Sequence, residues 1–249
     1  MDNNYKLYSK YYNLLYKDKD YHAEVNYVAE NLLKYSNHIK NILEFGSGTG
    51  GHGLLLNEKG FDVFGLERSE DMVSVAKEKG LACAVADIAY FKLDKKYDAV
   101  IALFHVVSYL TSNEALIASF KNAYNHLVEE GVFLFDVWYS PAVYNLKALP
   151  RIKRMQNEEL KVIRIAEPII DFNKNLVNVQ FSVIAKDMIS GEVSELNENH
   201  PMRHFSIPEI ELLAENTGFE ILKVEEFLTG NEPSEKTWGV CFILKKKEN

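Results

Sequence analysis

Apolar positions recur in two rhythms along this chain, and the place where the rhythm changes divides it. From Ile39 onward, short apolar runs alternate with segments of helical periodicity. The runs Asn41–Phe45, Asp62–Leu66, Ala82–Ala86, Asp98–Leu103 and Gly131–Val137 predict strands. The helical segments between them carry their own punctuation. "SEDMVSVAKEKG" has Ser69 as N-cap, acids in its first turn and Gly80 as its stop, and "TSNEALIASFKNAYNHLVEEG" repeats that grammar up to Gly131. Strands alternating with helices predict a parallel, doubly wound α/β sheet that takes ligands at the carboxyl ends of its strands.

The rhythm breaks after Pro141. Leu160–Asp171, Leu176–Asp187 and Glu192–Asn197 are β-rich and separated by the turn signals "DFNKNL" and "DMISGE". Three strands without helices predict an antiparallel ribbon inserted into the α/β unit. "SIPEIELLAENTGF" then restores a helix, capped by Ser206 and stopped by Gly218, and "FEILKVEEF" and "TWGVCFILKK" supply two more strands. The opening is rich in tyrosine and predicts two helices. The expected organisation is a helical lid over 1–38, an α/β core over 39–140 and 206–249, and a ribbon over 141–205.

Composition narrows the classes. The chain has 249 residues, 47% apolar and 26% charged, enough to bury a large core. Its net charge of −8 disfavours broad binding to nucleic acid or an anionic membrane. The polar start "MDNNYKLYSKYYN" lacks the apolar core of a signal peptide. The longest apolar run, Ala99 to Val107, is broken by His105 and too short to span a bilayer. Cys83 and Cys241 sit in strand-like runs, where cysteine acts as a small buried hydrophobe. A cytoplasmic, disulfide-free protein is expected.

The stretch with most chemical content is "ILEFGSGTGGHG", Ile42 to Gly53. Gly46, Gly48 and Gly51 satisfy the G-x-G-x-x-G spacing of a dinucleotide site, and Glu67 lies where a ribose carboxylate would. Glu44 argues for a different ligand. A pyrophosphate about 4 Å from that carboxylate would be repelled by roughly 4 kcal/mol at an effective dielectric near 20. S-adenosylmethionine reverses the sign, because it carries a sulfonium and an ammonium and no phosphate. Glu67 would then hold its ribose hydroxyls, and Asp87, closing "ACAVAD", would accept from its adenine amino group. A nicotinamide dehydrogenase and a non-catalytic cofactor-binding partner remain alternatives.

"ILEFGSGTG", "VFGLERSEDMVSVAK", "AVADI" and "YDAVIALFHVVSYL" resemble the successive motifs of class I S-adenosylmethionine-dependent methyltransferases. "YYNLLYKDKDY", "LFHVVSYL" and "HPMRHFSIPEIELLAENTGFEI" resemble the subgroup of nucleotide-linked aminosugar N,N-dimethyltransferases and related surface-polysaccharide enzymes. The resemblance implies a Rossmann-like, seven-stranded sheet whose last strand is antiparallel, with a ribbon covering the acceptor. It implies that Glu44, Gly46, Ser47, Gly48 and Thr49 line the methionine end of the cofactor. Glu67 and Arg68 would flank the ribose, Met72 the adenine face, and Asp87 and Ile88 the adenine edge, with Leu103 in the same pocket. Tyr21 would approach the cofactor from the lid, and Tyr12 the acceptor. The chain departs from the subgroup at Tyr109, which stands where a "GHL"-like triplet has histidine, while His105 lies four residues earlier.

Methyl transfer from a sulfonium is an in-line displacement, and positioning alone can supply roughly 7–11 kcal/mol. An amine must arrive unprotonated, and a hydroxyl must lose its proton. His105 follows the fourth strand directly and carries the side chain suited to take a proton near neutral pH. Packing beneath the lid is its alternative role. Tyr109 is read as an orienter of the acceptor. "FDVWYSP" ends the fifth strand with Asp136, Trp138 and Tyr139 where the acceptor should lie, and the aromatic wall suits a sugar face or nucleobase. Arg203 and His204 in "HPMRHF" are the remaining acceptor candidates, Arg203 for a phosphate or carboxylate. No cluster has metal-ligand spacing. The expected partner is a small-molecule acceptor, a sugar or alternatively an amino acid or other small amine, with the chain a monomer or homodimer.

Overall fold

The computed structural model of the chain describes residues 14–15, 19–35 and 38–248, which fall into two compact units. The larger unit contains Asp20–Leu146 and the chain from His204 onward. It opens with helix α1 (Tyr21–Tyr35). The apolar runs then become strands β1 (Asn41–Phe45), β2 (Asp62–Glu67), β3 (Ala82–Val85), β4 (Tyr97–Ala102) and β5 (Leu127–Tyr139). Helices α2 (Gly51–Glu58), α3 (Glu70–Glu78) and α4 (Asn113–His126) connect them, with α5 (Ser140–Leu146) following β5. The predicted cap at Ser69 forms, its Oγ accepting from Met72 N, whereas Ser206 stands at the N-cap of the later helix Ile207–Thr217 without a side-chain hydrogen bond to it; Ser112 caps α4, accepting from Ala115 N.

These five strands pair in parallel in the order β3-β2-β1-β4-β5. After the ribbon come α6 (Ile207–Thr217), β10 (Phe219–Glu226) and β11 (Gly239–Lys246). β11 inserts antiparallel between β5 and β10, giving seven strands with the last one reversed. Period-two alternation decides which residues fill which face. Phe133 and Phe135 pack with Phe45, Phe120, Phe219 and Phe242 on one side of the sheet. Val132 and Leu134 pack with Ile42, Ile101 and Ile243 on the other, against Val25, Val28 and Leu32 of α1. Each such fully buried phenylalanine contributes roughly 1.5–3 kcal/mol.

One boundary corrects the sequence reading. Helix α4 was expected to run to Gly131 but stops at His126, whose Nδ1 lies 2.7 Å from Asn122 O and whose Nε2 accepts from Leu93 N. Leu127 already pairs with Tyr97 of β4, and Glu130 takes a φ of 64° before the long straight part of β5. Tertiary pairing overrides a segment with good helix propensity.

The smaller unit comprises Lys147–Arg203 with Leu14 and Leu15. It is an antiparallel ribbon of four strands, where three were expected. β6 (Arg151–Gln156), a basic–apolar alternation not recognised as a strand, pairs with β7 (Leu160–Asp171). β8 (Leu176–Asp187) and β9 (Val193–Phe205) complete it, and β9 runs eight residues beyond the expected end at Asn197. Leu160, Val162, Val183 and Ala185 form its core with Leu14 and Leu15. The first of the two expected N-terminal helices lies outside the described residues apart from Leu14 and Leu15.

Candidate active site

The turn after β1 is held close to β2, where Gly46 N and Ser47 N both donate to Leu66 O. Gly46 has a φ of 67°, and a Cβ on it would lie 2.4 Å from Cγ2 of Val106, so the chain can pass here only as glycine. Glu44 is buried (1% exposed) beneath this turn, its Oε1 3.8 Å from His52 Nδ1. His52 Nε2 in turn lies 2.6 Å from Oε2 of Glu24 on α1. Tyr21 packs its ring edge-on to His52 at 4.9 Å, close against Gly51. α1 is tied down a second time where Tyr27 donates to Glu225 at 2.7 Å, a phenol whose pKa burial pushes far up.

Glu67 closes β2 and bridges the turn, its Oε2 accepting from Gly48 N at 3.1 Å and its Oε1 from Ser69 N at 2.9 Å. A carboxylate offers about four lone-pair sites, so two remain for other donors. Asp87 follows β3 half-exposed, accepting from Ala89 N at 2.9 Å, with Arg68 Nε 4.0 Å away. Arg68 itself is largely exposed, Met72 and Thr49 are half-buried, and Ile88 and Leu103 are buried. The three acids thus stand at or near the carboxyl ends of three neighbouring strands.

The turn after β4 is built on opposite terms. Phe104 and His105 have φ of 65° and 62°, the left-handed region, with side chains in place. Asp136 of β5 holds the turn. It is fully buried, its two carboxylate oxygens lie 3.2 Å from His105 N, and Oδ2 is 2.6 Å from His105 Nδ1. Nδ1 is buried against this carboxylate at ion-pair distance, without the alignment of a hydrogen bond. The residue was visible in the sequence as the end of "FLFDV", but its pairing with His105 was missed. A lone acid within an apolar strand was the one available signal. Trp138 lies edge-on to His105 at 6.1 Å and to Trp238 at 5.5 Å.

Other expected residues are placed as follows. Tyr109 ends the short 3-10 turn Val106–Tyr109 and is 47% exposed. Tyr139 is half-buried, and burial raises its phenol pKa, keeping it a neutral donor. His204 is fully buried with Nδ1 2.8 Å from Ser140 Oγ and Tyr144 edge-on at 5.0 Å, an internal packing position. Arg203 is half-buried on β9 of the ribbon, opposite Leu176. Tyr12 lies outside the described residues. Cys83 and Cys241 are buried free thiols, and burial pushes up the pKa of each.

Residues 42–131 match the family described as "Methyltransferase domain", and they carry the glycine turn, the three acids and His105. The chain is a class I S-adenosylmethionine-dependent methyltransferase. That decides the question the glycine spacing left open, against a nicotinamide cofactor. The methyltransferase is 29% identical over 216 residues to the putative methyltransferase YqeM of Bacillus subtilis (strain 168), covering 83% of this chain and 84% of that one. It is 27% identical over 176 residues to dTDP-3-amino-3,4,6-trideoxy-alpha-D-glucopyranose N,N-dimethyltransferase of Streptomyces venezuelae, covering 69% and 74%. It shares its fold with an S-adenosylmethionine-dependent methyltransferase from Clostridium acetobutylicum ATCC 824, at a TM-score of 0.83, 21% identity and coverage of 99% and 100%.

The methyltransferase's residues suit this cofactor. The side of Gly48 on which a Cβ would stand is open for 4 Å, and Glu67 keeps acceptor capacity beside it for two vicinal hydroxyls. Among the described residues, no group of three or more His, Cys, Asp and Glu could hold a metal ion. No helix among them is long and apolar enough to cross a membrane.

Proposed function

We propose that this methyltransferase acts on an amine or hydroxyl of a small polar metabolite, a nucleotide-linked or surface-polysaccharide sugar. The observation that carries the reading is the contact between His105 and Asp136, supported by the kinship with an aminosugar N,N-dimethyltransferase. Glu67 takes the ribose hydroxyls of the cofactor, Asp87 and Ile88 its adenine edge, and the glycine turn with Tyr21 its methionine end. Bound there, S-adenosylmethionine supplies a methyl group already activated on a sulfonium. His105 Nε2 takes the proton that the acceptor nitrogen or oxygen gives up. Asp136, buried behind the ring, stabilises the imidazolium so formed and keeps the ring from turning. Trp138 and Tyr139 offer an aromatic face with one neutral donor, which suits a sugar ring.

The test is a screen with isotopically labelled cofactor against nucleotide aminosugars, free aminosugars, amino acids and simple amines, read as product mass. Mass gain on a sugar supports the reading. Gain on amino acids or simple amines alone would refute it.

A further inference from the structure

The ribbon carries a polar cluster on its apolar face that the cofactor site does not use. Cross-strand partners share a face, so Lys153, Arg164 and Val183 stand in one row, and Ala166, Phe181 and Glu198 in the next. The guanidinium carbon of Arg164 lies 4.6 Å from the centre of the Phe181 ring. Its Nε is buried and finds no hydrogen-bond acceptor among the described residues. The nearby carboxylate, Glu198, has its Oε2 3.2 Å from His200 Nε2, and His200 packs edge-on against Phe181.

Charge sharpens the picture. Lys153 stands directly opposite Arg164, and Arg151 follows two residues along on the same face. Like charges directly opposite one another on paired strands repel, and Lys153 Nζ is met by a neutral group, the carbonyl of Leu15 at 2.7 Å. A stacked guanidinium with a buried unmatched donor, beside two further cations, is complementary to a multivalent oxyanion that receives a fork of hydrogen bonds. The aromatic wall confines the fork without competing for its donors.

We propose that Arg164, stacked on Phe181 and flanked by Lys153 and Arg151, is a site on the ribbon for the diphosphate of a nucleotide. The proposal rests on the sugar reading above for the class of its ligand. Arg203 projects from the opposite face of the ribbon, one residue out of phase with Met202, and serves as the contrast.

The experiment is calorimetry on the full chain saturated with S-adenosylhomocysteine, titrated with thymidine diphosphate and uridine diphosphate at two salt concentrations. The parent should bind at least one of them, more weakly at the higher salt. Arg164→Met should weaken that binding at least tenfold, Arg164→Lys severalfold because the charge stays and the fork goes, and Arg203→Met less than twofold. S-adenosylhomocysteine affinity reports folding. Should Arg164→Met not fold, Lys153→Met carries the test with the same expected direction. Absence of binding by the parent, unchanged affinity in the Arg164 variant or its Lys153 substitute, or a loss at Arg203→Met in place of Arg164→Met overturns the subsite. The two readings separate cleanly. Methylation of a free sugar without diphosphate binding keeps the function and removes the subsite, whereas diphosphate binding without sugar methylation does the reverse.

Discussion

The turn after β1 and the turn after β4 leave neighbouring parallel strands, and both enter the left-handed region of backbone space. They do so with opposite side-chain content. The first uses glycine at Gly46, Gly48 and Gly50, leaving no side chains at those positions. The second uses Phe104 and His105, for which the same conformation costs roughly 1–2 kcal/mol per residue. A chain accepts that cost where a particular side chain is needed at that spot, and Asp136 offsets part of it by accepting from His105 N. One turn is stripped of side chains, and the other keeps an imidazole beside a buried carboxylate in spite of the strain.

The largest effect should come from breaking the second turn chemically while leaving its backbone intact. His105→Asn keeps a residue tolerant of positive φ and should lower kcat by about 10²–10⁴-fold, as loss of a general base does. Asp136→Asn should fall in the same range. Turnover at the parental level in either variant would return His105 to a packing role. The first turn should fail sterically. Gly46→Ala combines left-handed strain with overlap on Val106 and should cost about 2–5 kcal/mol of stability, visible in a denaturant melt, with S-adenosylhomocysteine binding lost. Native-like melting there would mean that Val106 yields freely.

A smaller change is expected at Glu67. Its replacement by alanine removes hydrogen bonds to a charged group worth about 1.5–3 kcal/mol each, so S-adenosylhomocysteine should bind at least tenfold more weakly by calorimetry. Unchanged affinity would sever Glu67 from the ribose. The smallest effect is the most diagnostic for the comparison. His105→Gly converts the second turn to the chemistry of the first, and the relief of strain should keep stability within about 1 kcal/mol of the parent while turnover is lost. A large destabilisation would show that the imidazole is there to hold the fold.

The same contrast explains how much of the molecule was legible in the sequence. β1 to β4 came out within a residue or so of their boundaries, because they read as short apolar runs with glycine or acid stops, β1 and β4 being buried on both faces. The candidate cofactor residues stood out because they cluster at the carboxyl ends of those strands. β6 was not, since "RIKRMQ" alternates basic and apolar residues with little β-branched content, and a mostly exposed strand buries too little to leave a mark. The end of α4 was misread because "HLVEEG" has good helix formers, and only the pairing of Leu127 with Tyr97 reveals the competing strand. The contact between His105 and Asp136 spans 31 residues and depends on β4 lying beside β5, a fact of sheet order. Glu24 and His52 were missed for the same reason, since a helix preceding the sheet supplies one partner and the glycine turn's own helix the other.

The buried run Glu24–His52–Glu44 has a practical consequence for anyone trimming this protein. Its outermost carboxylate comes from α1, so a shortened version that begins at β1 would leave an imidazole and an acid sealed beneath the glycine turn with their counterpart missing. Such a fragment would keep all of residues 42–131, the stretch that matches the methyltransferase family, and yet carry an unbalanced buried cluster. Helix α1 completes the packing and the buried polar cluster of the core and should be retained in any minimal version.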